Sequence, residues 1–268
     1  MQDHLAACTL GIRHAHEGAE QIVRWLFQNF KQRFRFALHN PSYVLSSLFR
    51  ELTLADERFL SSVAGVSPAR IRSFLNEPFE TPTFADSLRE VESCFNQAKV
   101  ESANLYAKKV LVQYAAIRAF APNVVVETGV AGGVCTAYVL LALQKNGCGK
   151  LHSIDVGDPQ YLPPGKQPGW IVPDWLRDNW DLRIGDSRAL LPQLLSEHAL
   201  IDVFIHDSLH TYDHMLWEFR AAYPSLRAGG LLISDDAAWN PAFSEFTREV
   251  GAERARLLRG VGFLQKNR

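Results

Sequence analysis

The stretch that decides the fold is Val124-Val125-Val126-Glu127-Thr128-Gly129-Val130-Ala131-Gly132-Gly133-Val134-Cys135-Thr136-Ala137. Its three successive valines predict a buried parallel strand, which Glu127 brings to an end. The small residues that follow predict a tight turn that a ligand can approach closely, because glycine has no Cβ. The apolar run 136–143 predicts a helix packed on that strand. Strand, glycine-rich turn and helix together predict a doubly wound α/β fold that binds its ligand at the carboxyl ends of the strands.

Composition narrows the class of protein. A chain of 268 residues accommodates one α/β domain and an added segment. The net charge of −1 lacks the basic excess of a nucleic-acid-binding protein. The four cysteines are scattered, with neither metal-ligand spacing nor a disulfide framework, which favours a reducing, cytoplasmic location. We find no signal peptide and no apolar run long enough to span a bilayer.

Two regions are expected on either side of a proline-rich connector at 77–83. Residues 1–83 are predicted to form a helical N-terminal segment, and residues 84–268 the ligand-binding domain. Within the segment, residues 18–38 form an amphipathic stretch rich in basic and aromatic side chains. This stretch suits packing on the domain, a homodimer interface, a lid over the substrate or, with less support, a helix on a membrane surface.

Acidic residues end the next two predicted strands. The second strand, 150–155, ends at Asp155, an acid that can accept hydrogen bonds from the hydroxyls of a nucleoside ribose. The third strand, 182–184, is followed by Asp186 and Ser187. Between these strands lies a long loop, 157–180, rich in proline and aromatic residues, which is expected to contact an acceptor substrate or to pack on the domain.

A second group of acids follows the fourth and fifth strands. Asp207 follows strand 201–205, and Asp235 and Asp236 follow strand 231–234. Because neighbouring parallel strands end at one edge of the sheet, these carboxylates should converge and raise one another's pKa. Mg²⁺ prefers oxygen ligands and would neutralise them, so Asp207, Asp235 and Asp236 are predicted metal ligands. His210 has a pKa near neutrality and is the predicted general base, with Asp207 as its catalytic partner.

The first motif, Glu127-x-Gly129-x-Ala131-x-Gly133, resembles the acid-x-Gly-x-Gly-x-Gly motif of the class I S-adenosylmethionine (SAM) methyltransferases. The resemblance implies a Rossmann-like, seven-stranded, mostly parallel sheet with an antiparallel last strand. It also implies that Glu127 pairs with the SAM ammonium group and that Asp186 lies beside the adenine. The implied SAM-binding residues are Glu127, Gly129, Ala131, Gly133, Thr136, Asp155, Asp186, Ser187 and Asp207.

The acidic residues that follow the fourth and fifth strands make the resemblance more specific. Asp207, Asp235 and Asp236 resemble the metal triad of the divalent-cation-dependent O-methyltransferases of the catechol and macrocin types. The run from 105 to 265 resembles a broad bacterial SAM methyltransferase family with Asp-Gly-x-His-x-Tyr at its fourth strand, and 207–212 matches this pattern except at Ser208. The chain departs from the macrocin type at Leu209, where that type has a second acid. The resemblance implies Mg²⁺-dependent O-methylation of a sugar, a phenol or a small natural product.

Two other functions compete with this prediction, and two more are disfavoured. One is a metal-independent methyltransferase that uses His210 or Asp207 alone. Another is a non-catalytic SAM-binding or assembly subunit, which would have no use for three converging acids. A nicotinamide dehydrogenase is disfavoured because its turn requires a third glycine at a different spacing. Methyl transfer to a nucleobase amine is disfavoured because no Asn/Asp-Pro-Pro-Tyr/Phe motif follows the fourth strand.

Overall fold

The computed structural model describes residues 55–98, 105 and 107–268. The amphipathic stretch 18–38 lies outside the described residues, so its predicted roles stay predictions. Within the described part of the chain, no helix is long and apolar enough to cross a membrane.

Among the described residues, four helices precede the sheet: α1 (Ala55–Ala64), α2 (Pro68–Asn76), α3 (Pro82–Ala98) and α4 (Lys108–Phe120). The proline that begins α2 lies in its first turn, and Ser67 caps that helix by accepting from the backbone amide of Arg70. Helix α4 is anchored to the end of α2, because Nε of Arg118 lies 2.6 Å from Oε2 of Glu77. This contact links Glu77, the first residue of the connector at 77–83, to α4. The division of the chain into regions 1–83 and 84–268 stays a prediction.

The rest of the domain alternates strands and helices. Its strands are β1 (Val124–Thr128), β2 (Lys150–Asp155), β3 (Trp180–Ile184), β4 (Ile201–His206), β5 (Leu226–Ser234), β6 (Arg254–Leu258) and β7 (Val261–Gln265). Its helices are α5 (Val134–Asn146), α6 (Ser187–Ser196), α7 (Tyr212–Ala222) and α8 (Ala242–Glu249). Short 3₁₀ turns lie at Pro159–Tyr161, Asp174–Asn179 and Tyr223–Ser225.

The seven strands form one sheet in the order β3-β2-β1-β4-β5-β7-β6. The first five strands pair in parallel, and β7 is antiparallel to both of its neighbours. This arrangement confirms the predicted fold. The order reverses between β1 and β4, which is where a doubly wound sheet opens a crevice for a ligand.

Register places the predicted acids at one edge of the sheet. Thr128 at the end of β1 is paired with His206 at the end of β4, and His206 is paired with Ser234 at the end of β5. The ladder continues one residue further, because the amide of Asp207 donates to the carbonyl of Thr128 and the amide of Asp235 donates to the carbonyl of His206, both at 2.8 Å. Asp207 and Asp235 therefore lie side by side.

One local prediction was wrong. The fifth strand was predicted over 231–234, but β5 already begins at Leu226 and includes residues 227–230. The glycines are accommodated within the strand, where Gly229 has a φ of +72° and the pairing with β4 shifts register near its start. Two glycines thus marked an irregular strand rather than the end of a helix.

Candidate active site

Glu127 is fully buried behind the glycine-rich turn. Its Oε2 accepts hydrogen bonds from Oγ1 of Thr136 at 2.9 Å and from Oγ of Ser153 at 2.7 Å. Its Oε1 is buried and has no hydrogen-bond partner among the described residues. Burial raises the pKa of Glu127 to about 7, although the two hydroxyl donors act in the opposite direction. An unsatisfied buried carboxylate oxygen calls for a cationic or hydrogen-bonding partner.

The glycines of the turn are required by the protein's own backbone. A Cβ on Gly129, whose φ is +84°, would lie 2.1 Å from the carbonyl oxygen of Asp207. A Cβ on Gly133 would lie 2.7 Å from the Cα of Gly169. Ala131 also adopts a left-handed conformation, with a φ of +45°. The turn is therefore clamped between the β4–α7 connection and the long loop, a constraint beyond the thinness predicted for ligand approach.

Asp155 holds the turn from the end of β2. Its Oδ2 accepts from the amides of Val130 and Ala131 at 2.7 and 2.8 Å, and its Oδ1 accepts from the amide of Gly157 at 2.6 Å. Each carboxylate oxygen has more than one lone pair, so these bonds leave capacity for a ligand hydroxyl. Asp155 thus organises the turn in addition to the ribose contact predicted for it.

Asp186 and Ser187, which follow β3 after Gly185, have different roles in the structure. Asp186 caps α6 by accepting from the amide of Arg188 at 2.8 Å. Ser187 is buried, and its Oγ lies 3.2 Å from Nε2 of His214. Two exposed apolar side chains, Val156 and Ile184, follow or end β2 and β3 at the same edge of the sheet.

Asp207, His210 and Asp235 form the cluster at the carboxyl ends of β4 and β5. Each offers one ligand atom, and these atoms all lie within 4.8 Å of one another. Burial, and then the neighbouring Asp235, raise the pKa of Asp207 well above its ordinary value. Two carboxylates held this closely favour a state in which one keeps its proton, or in which a cation lies between them.

Asp236 is not a member of that cluster. It adopts a left-handed conformation with a φ of +44°, and its carbonyl accepts from the amide of Trp239 at 2.9 Å. Asp236 therefore begins a turn, and His210 takes the place that was predicted for Asp236 beside the other two acids.

Lys109, near the start of α4, completes the cluster and was missed from the sequence. Its Nζ lies 2.5 Å from Oδ2 of Asp235, a side chain that is only 2% exposed. Burial alone lowers the pKa of Lys109, but the charge and hydrogen bond of Asp235 overcome this effect and raise the pKa well above its ordinary value. A lysine 126 residues before its partner carries no motif signal, because lysine is common on solvated helices.

His210 is held as a neutral imidazole facing the acids. Its Nε2 lies 3.8 Å from Oδ1 of Asp207 and, like Oδ1 of Asp235, is buried without a hydrogen-bond partner among the described residues. Burial, and then the nearby ring of His206, lower the pKa of His210 to about 4. The exposed ring of Trp239 lies on its outer side, with the ring centroids 5.4 Å apart. In the tautomer that leaves Nε2 unprotonated, this nitrogen can accept a proton from a bound group.

A second missed residue, Glu218 of α7, supports this edge from beneath. It is fully buried, and its Oε2 is bonded to Oγ1 of Thr128 at 2.5 Å and to Nδ1 of His206 at 2.6 Å. Its Oε1 is bonded to Oγ of Ser208 and to Nε2 of His214, both at 2.9 Å. One carboxylate thus ties together β1, β4 and the segment that carries Asp207. We call these five side chains the Glu218 network.

The long loop between β2 and β3 packs mainly on the domain. The amide of Gly169 donates to the carbonyl of Ala131, and the amide of Ile171 donates to the carbonyl of Gly132, at 2.8 and 3.0 Å. Trp180 packs inward and donates from Nε1 to Oγ of Ser153 at 2.9 Å. Tyr161, in contrast, is 65% exposed. The packing role weighed for this loop is therefore present, and Tyr161 and Trp175 are aromatic residues of the loop that remain available to a ligand.

Comparison with known proteins agrees with this geometry. Residues 126–237 match the family model described as a methyltransferase domain. This range begins in β1 and ends just after the acidic pair at the end of β5, so it contains both the turn and the acid cluster. No curated protein matches the chain by sequence.

Solved structures share the fold at low sequence identity. A protein of Klebsiella pneumoniae described as a candidate O-methyltransferase aligns with a TM-score of 0.51 and 16% identity, over 68% of this chain and 90% of its own. TomG of Streptomyces achromogenes, an O-methyltransferase of tomaymycin synthesis solved with SAM, gives 0.51 and 13% over 68% and 90%. An O-methyltransferase of Bacillus cereus, solved with S-adenosylhomocysteine, gives 0.50 and 13% over 73% and 100%.

Proposed function

We propose that this chain is a class I, SAM-dependent methyltransferase and that it transfers the SAM methyl group to a hydroxyl oxygen of a small acceptor. The single observation that carries the proposal is the pair of unpartnered acceptors, Nε2 of His210 and Oδ1 of Asp235, in one cluster at the crevice. A hydroxyl group donates one hydrogen bond, so it can satisfy such an acceptor and keep its oxygen lone pairs for the methyl group.

The residues beside the turn fit SAM. Its ammonium group is a suitable partner for the free Oε1 of Glu127, and Asp155 lies where a ribose hydroxyl can reach the remaining lone pairs of its carboxylate. The apolar side chains of Val156 and Ile184 flank the place where an adenine ring would lie. Asp186 is exposed at the start of α6, within the same edge of the sheet.

SAM supplies an electrophilic methyl group on a sulfonium. In the transfer, the sulfur–carbon bond breaks as the oxygen–carbon bond forms, and the hydroxyl proton must leave. His210 is neutral at physiological pH and accepts that proton at Nε2, and the neighbouring carboxylates of Asp207 and Asp235 would stabilise the imidazolium that forms. The carboxyl ends of β4 and β5 hold the nucleophile and the base together. Such positioning supplies a large part of the rate enhancement in displacement reactions.

The mouth of the site suits an acceptor with an apolar or planar face. Two exposed apolar side chains belong to this part of the site: Trp239 is 71% exposed, and Leu209, next to His210 in the sequence, is 55% exposed. A phenol, a sugar with an apolar face or a small natural product can pack on such side chains while its hydroxyl reaches inward.

A Mg²⁺-assisted transfer is the second candidate. The mutual spacing of the donors of Asp207, His210 and Asp235 favours it, and Mg²⁺ at these three residues would acidify a bound hydroxyl. Lys109 weighs against it, because its ammonium already lies 2.5 Å from Asp235. The residues therefore fit a divalent ion poorly as long as that ion pair persists.

The test uses SAM with a ¹³C-labelled methyl group and a panel of phenols, sugars and small polyols, each with EDTA and with added Mg²⁺. We expect methyl ethers, identified by the carbon chemical shift of the product, from at least one hydroxyl acceptor. His210→Gln should lower the maximal rate with little change in SAM affinity. Methylation only at nitrogen would contradict the proposal, and turnover that EDTA abolishes would select the Mg²⁺-assisted candidate.

A further inference from the structure

The starting observation is an ion pair at the place predicted for a metal. Lys109 reaches from α4, which lies outside the strand-and-turn motifs, and its Nζ is 2.5 Å from Oδ2 of Asp235. Asp235 is 2% exposed and its other oxygen is unpartnered among the described residues, so Lys109 is the cation that compensates this buried carboxylate. A buried charge requires such a partner, because its desolvation is otherwise costly.

A divalent ion in the same cluster would compete with this ammonium. It would need the oxygens of Asp235, one of which Lys109 occupies, and it would add two positive charges next to an existing one. Repulsion between such neighbours is strong where water is excluded. The lysine would have to leave, and leaving would break its ion pair with Asp235.

We propose that Lys109 is the resident cation of this site and that the chain keeps divalent metal ions out of it. The inference rests on the proposed function only for its catalytic consequence, which is that the ammonium donates to the acceptor oxygen and positions it near His210. Lys109 thereby neutralises the acid cluster, the role that the sequence predicted for Mg²⁺. The side chains of Asp207, Asp235 and His210 remain the hydrogen-bond acceptors around the oxygen that receives the methyl group.

Manganese binding provides a direct test. Mn²⁺ replaces Mg²⁺ at oxygen-rich sites, and its electron paramagnetic resonance signal reports free and bound ion separately. MnCl₂ is titrated into the full chain and into Lys109→Met, without SAM or acceptor. We expect no stoichiometric binding to the natural chain at millimolar Mn²⁺. Lys109→Met should bind one ion at least about tenfold more tightly, because removal of the ammonium frees Oδ2 of Asp235 and removes a positive charge from the cluster.

Two further variants serve as controls. Lys109→Arg keeps the positive charge and should continue to exclude Mn²⁺. Adding Asp235→Asn to Lys109→Met should abolish the gained site, which places the bound ion in this cluster. SAM affinity and thermal unfolding of each variant show that the domain is folded. If Lys109→Met does not fold, Lys109→Gln replaces it, and the natural-chain titration stands by itself.

The proposal is overturned if the natural chain binds one Mn²⁺ at submillimolar concentration and Asp235→Asn removes it. It is also overturned if a folded Lys109→Met binds no more Mn²⁺ than the natural chain. Both results are independent of the acceptor, so they differ from a failure of O-methyl transfer, which the labelled-methyl assay detects. A chain that methylates nitrogen and still excludes Mn²⁺ would refute the proposed function and leave this inference intact.

Discussion

Replacing Glu218 by glutamine tests whether the Glu218 network holds the catalytic edge of the sheet. The carboxylate accepts four hydrogen bonds, from Thr128, His206, Ser208 and His214. An amide keeps only one acceptor oxygen, so about two of these bonds are lost and an N–H group faces other donors. Losing two bonds to a buried charge costs about 3–5 kcal/mol. For a unit of this size we expect Tm to fall by about 10 °C.

The matched control is Glu249→Gln, which removes an exposed carboxylate paired with Arg220. Water screens that pair, so Tm should remain close to that of the natural chain. Differential scanning calorimetry of both variants measures the contrast. Equal small shifts would refute the view that Glu218 organises this edge. If Glu218→Gln is stable but loses the maximal rate, the network positions the segment 206–210 rather than stabilising the domain.

The same variant predicts a pH dependence with a definite sign. Burial acts to raise the pKa of Glu218, but the hydrogen bonds from His206 and His214 outweigh it and hold the pKa far below its ordinary value. A depressed folded-state pKa stabilises the protein above the unfolded-state value of about 4.5, and this stabilisation is lost as the pH falls below it. The difference in Tm between the natural chain and Glu218→Gln should therefore shrink as the pH is lowered from 5 to about 3.

Three further perturbations have defined outcomes. Gly129→Ala should destabilise the domain by about 1–3 kcal/mol more than Gly165→Ala in urea unfolding, because both have a positive φ but only Gly129 would meet backbone atoms; equal losses would remove the clamp from the account. SAM affinity should rise about tenfold between pH 6 and pH 8 as Glu127 ionises, since its pKa is raised to about 7, and calorimetry should give a flat profile for Glu127→Gln. Asp155→Asn should weaken SAM binding about tenfold, whereas Asp158→Asn, an exposed cap on the same loop, should not; equal affinities would exclude Asp155 from the site.

The sequence was most informative where function and local structure coincide. Alternating strand and turn patterns predicted the order of elements, and the acids at strand ends predicted one edge lined by Glu127, Asp155, Asp207 and Asp235. These predictions rest on short-range rules: a buried strand is apolar, it ends where polarity begins, and parallel strands end together.

Long-range partners were not accessible in this way. Lys109 and Glu218 look like ordinary solvated charges on amphipathic helices, and only the packing of those helices brings them to buried carboxylates and imidazoles. The acid pair at 235–236 was equally ambiguous, because adjacent side chains point to opposite faces along a strand but can face the same site in a turn. In the structure, Asp235 belongs to the cluster with Asp207 and His210, whereas Asp236 adopts a left-handed conformation and begins a turn.

The claim on which the account depends is that the crevice between β1 and β4 binds SAM next to the acid cluster. Isothermal titration calorimetry of the full chain with SAM, and separately with NADH, tests it most directly. We predict one bound SAM per chain and no NADH binding. Binding of NADH without binding of SAM would contradict the account.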